Sequence, residues 1–90
     1  MPTKEWVAHH GGHEIKVVNT WTGGTRLYIN GDLRDSNNGQ SALDWTFWLS
    51  ARIVRDDPAS DLIEVYVKAL WSVDAEIRLN GHYLAGEKRA

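Results

Sequence analysis

Two short stretches with the same pattern decide the fold: RLYINGDL at Arg26–Leu33 and IRLNGHYL at Ile77–Leu84. Each consists of a run of β-favouring residues, an Asn-Gly pair and a second short run. A type I′ turn requires a positive φ at both central residues, which Asn tolerates and Gly adopts without steric cost. The two stretches therefore predict two antiparallel hairpins, each with its register set by Asn-Gly.

The register of both hairpins follows from the length of their loops. With two-residue loops, Tyr28 is expected to pair with Leu33 across the first turn. Across the second turn, four residues are expected to share one face of the sheet: Ile77, Leu79, His82 and Leu84. The likeness of the two stretches is explained by turn and strand chemistry and requires no shared function.

The rest of the chain also favours strands, because no window of about eleven residues keeps helical apolar spacing without Gly, Asn or Pro. The predicted strands are Glu5–His9, Glu14–Thr20, Thr25–Ile29, Asp32–Arg34, Leu43–Leu49, Leu62–Ala69, Glu76–Leu79 and His82–Leu84. Turns or loops are predicted at Gly11-Gly12, Thr20–Gly24, Asp35–Gln40 and Asp56–Ser60. Two segments remain open: Ala51–Val54 either continues a strand or begins another, and Leu70–Ala75 is ambiguous. The pattern predicts an all-β, antiparallel β-sandwich of about eight strands, formed by one domain over residues 1–90.

Composition narrows the classes of partner and compartment. The chain has 90 residues, a formal net charge of −2 and no cysteine, so disulfides and thiolate chemistry are excluded. Acidic and basic residues are mixed, which argues against nucleic acid and against an anionic membrane surface as partners. The sequence has neither a secretory signal nor an apolar run long enough to span a membrane. A cytoplasmic location is the default expectation.

Three histidines in the motif HHGGH, namely His9, His10 and His13, are candidate metal ligands. Imidazole binds zinc, copper or nickel, but neighbouring residues on a strand point to opposite faces. We therefore expect a solvated turn, with no metal and no other cofactor. A metal-dependent enzyme at this turn is the less favoured alternative.

Catalytic constellations are also not evident in the sequence. The acids that fall in turns and loops are expected to stay ionised and solvated, unlike a glycosidase pair held across a cleft. These acids are Asp32, Asp35, Asp56, Asp57 and Asp61. No serine lies in a G-x-S-x-G elbow, and the glycines form neither a phosphate-binding nor a dinucleotide-binding loop. The sequence therefore predicts a protein that is not an enzyme.

Aromatic residues supply the candidate binding surface. Alternation along Leu43–Leu49 turns Trp45, Phe47 and Leu49 towards the core and leaves Trp48 beside Thr46 on the opposite face. Exposed Trp and Tyr are enriched at protein interfaces, and exposed apolar patches mark interaction sites. The residues predicted to bind a partner are Trp48, Thr46, Tyr66, Tyr28 and Trp21.

Four motifs also follow one another along the chain: H-E-I at His13–Ile15, G-x-R-L-Y-I-N-G at Gly24–Gly31, W-x-F-x-L at Trp45–Leu49 and I-x-L-N-G-x-x-L at Ile77–Leu84. In this order they resemble the β-sandwich module of the Fas apoptotic inhibitory molecule family. The resemblance implies a compact antiparallel sandwich without catalytic residues. It also implies action through protein contacts, in death-receptor signalling and in holding aggregation-prone clients.

The leading hypothesis is thus a non-enzymatic protein-interaction module, with a homodimer through a sheet edge or face also expected. The alternative is a carbohydrate-binding module that uses an exposed tryptophan, since the Tyr-Ile-Asn-Gly hairpin also looks like those of laminin-G and legume-lectin-like sandwiches. Sugar binding predicts that Trp48 or Trp21 lies flat beside Asn or Asp side chains in a shallow groove.

Overall fold

The computed structural model describes residues 3–20, 24–37, 46–69 and 73–87, and these residues form two antiparallel four-stranded sheets. The eight strands are β1 (Thr3–His10), β2 (His13–Thr20), β3 (Gly24–Ile29), β4 (Asp32–Asn37), β5 (Thr46–Arg52), β6 (Leu62–Ala69), β7 (Val73–Leu79) and β8 (His82–Gly86). The first sheet has the order β1-β2-β3-β4, and the second has the order β5-β6-β7-β8. Each sheet is therefore a simple meander, and the predicted all-β sandwich is confirmed.

Alternating apolar residues from both sheets form one core. The buried side chains of the first sheet are Trp6, Ala8, Ile15, Val17, Leu27 and Ile29, and those of the second half are Leu49, Ile53, Ile63, Val65, Val67, Ala75 and Ile77. The predicted inward alternation of β6 is confirmed, and Phe47 packs against the core from β5 as expected. Trp45 lies outside the described residues.

Both Asn-Gly turns fasten a neighbouring strand in the same way. Asn30 and Asn80 have φ values of 54° and 50°, as the turn type requires. The Asn30 backbone N–H donates to the Glu14 carbonyl at 2.8 Å, and the Glu14 N–H donates to the Asn30 Oδ1 at 2.9 Å. Asn80 makes the same two bonds with Leu62, both at 2.8 Å. Each turn thus holds the start of the strand next to its own hairpin.

The strand after each Asn-Gly turn carries a bulge at the same offset from the asparagine. In the first hairpin Tyr28 pairs with Leu33, as predicted, and the register then shifts past Arg34. In the second hairpin Arg78 pairs with Tyr83 and Ile77 pairs with Ala85, so Leu84 is the extra residue. An extra residue in one strand re-aims its side chain and increases the local twist.

The bulge changes one sequence-based expectation. Leu79 pairs with His82 as the two-residue loop requires, but Ile77 pairs with Ala85 and not with Leu84. Leu84 still packs against the core. The sequence did not reveal this bulge, because its pattern of apolar residues is compatible with either pairing.

Polar contacts close the two seams where the sheets meet, at β4 beside β5 and at β1 beside β8. At the first seam the Arg34 guanidinium, 7% exposed, donates to the backbone carbonyls of Arg52 and Ile53. At the second seam the Trp6 indole N–H donates to the Glu87 carboxylate at 2.8 Å. The same carboxylate oxygen accepts from the Ala75 N–H at 3.0 Å.

The predicted loop over Asp35–Gln40 was wrong in its first part, because β4 continues to Asn37. This stretch is polar, as is common for the edge strand of a sheet. The Asp35 carboxylate accepts a hydrogen bond of 2.9 Å from the backbone N–H of Ser50, which lies on β5 of the other sheet. The two open segments are partly assigned: β5 ends at Arg52, and β7 begins at Val73. None of the described residues is helical, and no membrane-spanning helix is found among them.

Candidate binding surface on the second sheet

The outer face of the second sheet is built from alternating residues of its four strands, and β8 contributes Tyr83, which pairs with Arg78 and is 44% exposed. Trp48 pairs with Tyr66 on the next strand, and Tyr66 pairs with Glu76 on the strand beyond. These three residues form the central row of the face, while their chain neighbours Leu49, Val65 and Ile77 point into the core. Strand alternation and the register of the three strands therefore place two aromatic rings and a carboxylate side by side on this face.

The two rings of the central row pack directly against each other. The centroids of Trp48 and Tyr66 are 4.9 Å apart, and the ring planes are inclined by 56°. Such tilted contacts are favourable for aromatic pairs, because the positive edge of one ring meets the negative face of the other. Trp48 is nevertheless 45% exposed, so Tyr66 supports a large apolar ring that still faces solvent.

Charged and hydroxyl residues flank the central row on both sides. One flanking row consists of Thr46, Lys68 and Asp74, and the other consists of Ser50, Glu64 and Arg78. Lys68 is exposed, and the side chain of Asp74 is 47% exposed. The surface therefore has an aromatic middle and a polar rim, which is the general arrangement of protein interfaces.

Glu76 is the unusual member of the central row, because its side chain is only 4% exposed. Arg78 Nε lies 4.0 Å from Glu76 Oε1, and among the residues that the structure describes neither of these two buried atoms has a hydrogen-bond partner. A buried carboxylate is stable only where a neighbouring charge or donor compensates its lost hydration. Arg78 supplies that compensation by charge.

The structure brings three of the five predicted binding residues together. Thr46, Trp48 and Tyr66 share the outer face of the second sheet, with Thr46 exposed and Tyr66 half-buried. Tyr28 does not join them, since it lies in the first sheet between Lys16 and Leu33 and alternates with buried residues of β3. Including Tyr28 in the same surface was therefore wrong. Trp21 lies outside the described residues.

The outer face of the first sheet offers a weaker apolar surface. Its row across the four strands is Val7, Lys16, Tyr28 and Leu33. Val7 and Leu33 are 44% and 47% exposed, but they are separated by the lysine and by the half-buried tyrosine. A single aliphatic side chain at each edge contributes less to binding than a packed aromatic pair, because binding hot spots are enriched in Trp and Tyr.

The HHGGH motif spans the β1–β2 turn. His9 and His10 are neighbours on β1 and point to opposite faces, while His10 is the cross-strand partner of His13 at the start of β2. His9 is exposed, while His10 Nε2 lies 3.3 Å from an Asp61 carboxylate oxygen that precedes β6. His13 Nδ1 lies 2.9 Å from the Asn30 side-chain amide. Among residues 3–20, 24–37, 46–69 and 73–87, no group of three or more His, Asp or Glu side chains is arranged to hold a metal ion.

Asp61 has an altered acidity at this end of the molecule. The Asn80 amide donates to its carboxylate at 2.9 Å and lowers the pKa of Asp61 below the ordinary 3.8. A hydrogen bond and positive charge from His10 act in the same direction, while loss of hydration opposes them. The Asp61 carboxylate therefore contacts both Asn80 in the second Asn-Gly turn and His10 on the first sheet.

Sequence reasoning missed Glu76 and Arg78 as members of the surface. Their period-two spacing with Ala75 and Ile77 could have placed both on the outer face. Their burial had no sequence signal, because it depends on side chains from neighbouring strands. Comparison of the chain with protein-family models, curated proteins and solved structures found no match.

Proposed function

We propose that the protein is a non-enzymatic protein-interaction module whose contact surface is the outer face of the second sheet. The observation that carries this proposal is the 45% exposure of Trp48 on a ring that packs 4.9 Å from Tyr66. Exposed tryptophan is costly in water, and burying such a ring against a partner recovers that cost. The flanking hydroxyl and charged residues supply the polar rim that directs a partner into register.

The kind of interaction follows from the resemblance to the Fas apoptotic inhibitory molecule family. A two-sheet antiparallel sandwich is the architecture that this resemblance implies, and it supports the proposal at the level of the fold. By that resemblance, the clients are aggregation-prone proteins in the cytoplasm, which expose apolar side chains. An exposed aromatic ring with a polar rim suits such clients.

The test measures how strongly the purified chain suppresses aggregation of a thermally unfolding reporter protein, followed by light scattering. Trp48→Ala is expected to lose most of the suppression, because the exposed ring is removed. The matched control is Leu33→Ala, which removes a side chain that is 47% exposed on the other sheet and should retain suppression. Equal suppression by both variants and the unmodified chain would contradict the proposal.

Carbohydrate binding is the second candidate, and one observation favours it. Glu76 Oε1 and Arg78 Nε, which have no hydrogen-bond partner within the described part of the chain, offer an acceptor and a donor 4.0 Å apart, next to an aromatic pair. A sugar hydroxyl both donates and accepts hydrogen bonds, so it could satisfy both atoms. This candidate ranks second because both atoms are buried and a covering side chain would have to move. Titration with a panel of oligosaccharides should shift tryptophan emission in the unmodified chain but not in Trp48→Ala; no shift with any sugar would exclude it.

A further inference from the structure

Charges on the outer face of the second sheet change sign across the central row. On β6, Glu64 lies on one side of Tyr66 and Lys68 lies on the other. On β7, Arg78 and Asp74 lie on the two sides of Glu76, with the basic residue now beside Glu64. Each strand therefore carries opposite charges at equal distances from the central row.

This arrangement is complementary to itself under one particular rotation. A two-fold axis along the central row places the outer face of a second copy against this one. Each strand then lies opposite the same strand of the second copy and runs in the reverse direction. Lys68 then faces Glu64 of the partner subunit, and Asp74 faces Arg78 of the partner subunit. In a two-fold interface every such contact occurs twice, so the face supplies four attractive charge pairs. The two pairs of Lys68 and Glu64 contribute most, because Asp74 lies 3.8 Å from Lys4 and Arg78 lies 4.0 Å from Glu76 within the same chain.

We propose that the outer face of the second sheet binds a second copy of this chain, with the two-fold axis along the row of Trp48, Tyr66 and Glu76. This inference rests on the proposed function, because it concerns the same surface: a second copy covers the surface reversibly when no client protein occupies it. The two tryptophans meet near the axis, where packed aromatic rings contribute most to binding. Two sheets in face-to-face contact pack about 10 Å apart, which leaves room for both layers of side chains.

The alternative two-fold arrangement is disfavoured by the same charges. An axis along β6 would keep every row opposite itself, so Lys68 would face Lys68 of the partner subunit and Glu64 would face Glu64 of the partner subunit. Like charges placed opposite one another in an interface are destabilising. Under the axis along the central row, Glu76 also faces Glu76 of the partner subunit, but each of these carboxylates is only 4% exposed and lies beside Arg78 of its own chain. The charges of the two flanking rows therefore select the axis along the central row over the axis along the strand.

The size of the face sets the expected strength of the dimer. Neighbouring strands are about 4.8 Å apart and each residue advances by about 3.4 Å, so the face measures roughly 15–20 Å on a side. Two such faces together bury roughly 450–800 Å², which is less than the roughly 1,200 Å² of the smallest stable interfaces and is typical of weak, transient contacts. The dimer is therefore expected to dissociate reversibly at concentrations on the order of micromolar or above.

The experiment measures the dissociation constant of the full chain by sedimentation equilibrium over a range of concentrations. Lys68→Glu places a carboxylate opposite Glu64 of the partner subunit, and Glu64→Lys places two ammonium groups opposite each other. Each single variant is expected to weaken the dimer by at least about tenfold, since repulsion replaces attraction at two symmetric contacts. Lys16→Glu on the first sheet has the same change in net charge as Lys68→Glu and should leave the dimer unchanged.

Mixing the two single variants gives the decisive measurement. In the mixed dimer, the carboxylate of Lys68→Glu faces the ammonium of Glu64→Lys, and Glu64 of the first chain faces Lys68 of the second. Both contacts are attractive again, so a one-to-one mixture should dimerise as well as the unmodified chain. The double variant, which carries both changes in one chain, should also be restored. Circular dichroism and thermal unfolding check that every variant keeps its fold.

Three outcomes would overturn the inference: a monomer at millimolar concentration, single variants that dimerise like the unmodified chain, or a mixture that stays monomeric. Trp48→Ala separates this inference from the proposed function. If the chain is monomeric but Trp48→Ala still loses suppression of aggregation, the surface binds other proteins and only the self-association is wrong. If Trp48→Ala has no effect on either measurement, both proposals fail.

Discussion

The first half of the chain, residues 3–37, and the second half, residues 46–87, share one backbone plan and differ in what their side chains do with it. Both are four-stranded meanders, and in both the third strand enters an Asn-Gly turn. Asn30 and Asn80 make equivalent bonds to the start of β2 and of β6. The backbone plan is shared because the turn chemistry is the same in both halves.

The bulge residues show how far the halves diverge on that plan. Arg34 and Leu84 are the extra residues of two equivalent bulges, four residues after Asn30 and Asn80 respectively. Arg34 donates to carbonyls at the end of β5 and closes a seam, while Leu84 packs against the core. The same kind of β-bulge therefore positions a side chain for a polar contact in the first half and for an apolar contact in the second half.

The outer faces diverge in the same manner. At the middle of the first sheet Lys16 and Tyr28 lie side by side, whereas the second sheet carries Tyr66 and the buried Glu76 beside Trp48. Residues on these faces do not determine the fold, so they are free to differ. The comparison locates the candidate surface on the half whose outer face carries the packed aromatic pair.

The largest expected effect tests whether the two halves share one core. Leu27 and Ile77 both lie three residues before their turn asparagines, and both are fully buried. Leu27→Ala and Ile77→Ala should each lower the free energy of unfolding by about 2–5 kcal/mol, since a cavity is left in either sheet. Urea unfolding measures both values. A near-zero loss for one variant would mean that its sheet contributes little to the core.

The next effect tests the difference between the bulges. Arg34→Ala should cost about 3 kcal/mol, because two backbone carbonyls at a buried seam lose a charged donor. Leu84→Ala should cost about 1–2 kcal/mol, because the leucine is only partly buried. The same urea measurement applies. The reverse order of the two losses would show that the arginine does not hold the seam.

A smaller effect tests the equivalence of the two turns. Asn30→Gly and Asn80→Gly keep the positive φ, remove the side-chain hydrogen bonds and raise the conformational entropy of the unfolded chain, so each should cost at least about 1 kcal/mol. Asn80→Gly should cost more at neutral pH, because its amide donates to the charged Asp61 while that of Asn30 meets a His13 nitrogen. Thermal unfolding resolves the order. Identical losses would remove the distinction between the turns.

The smallest effect is the pH dependence of the contact at Asp61. Its folded-state pKa is lowered by the Asn80 hydrogen bond and then by His10, so the folded protein binds this proton more weakly than the unfolded chain does. The stabilisation is present above the ordinary pKa of 3.8 and is lost as the pH falls through the lower, folded value. Between pH 7 and strongly acidic pH, the free energy of unfolding should therefore fall further for the unmodified chain than for Asp61→Asn. Parallel acid profiles of the two proteins would contradict this assignment.

Sequence reasoning recovered the strands and the inward alternation because both depend on local rules. It predicted that Trp48 and its chain neighbour Leu49 point to opposite faces of the sheet and that Tyr28 pairs with Leu33, and the structure confirms both predictions. It ended β4 too early, at Arg34, because a polar edge strand resembles a loop in its composition. It also put Tyr28 on the same surface as Trp48, since alternation assigns a face within one strand but not between sheets.

The sequence by itself determined the class of fold, the two turns and which side chains point inward along β5 and β6. These properties follow from φ preferences and period-two alternation, which act over a few residues. Only the tertiary structure decided that Thr46, Trp48 and Tyr66 share a face, that Glu76 is buried beside Arg78 and that Arg34 bridges the sheets. These contacts join residues from different strands, and their positions depend on register, bulges and the packing of one sheet on the other.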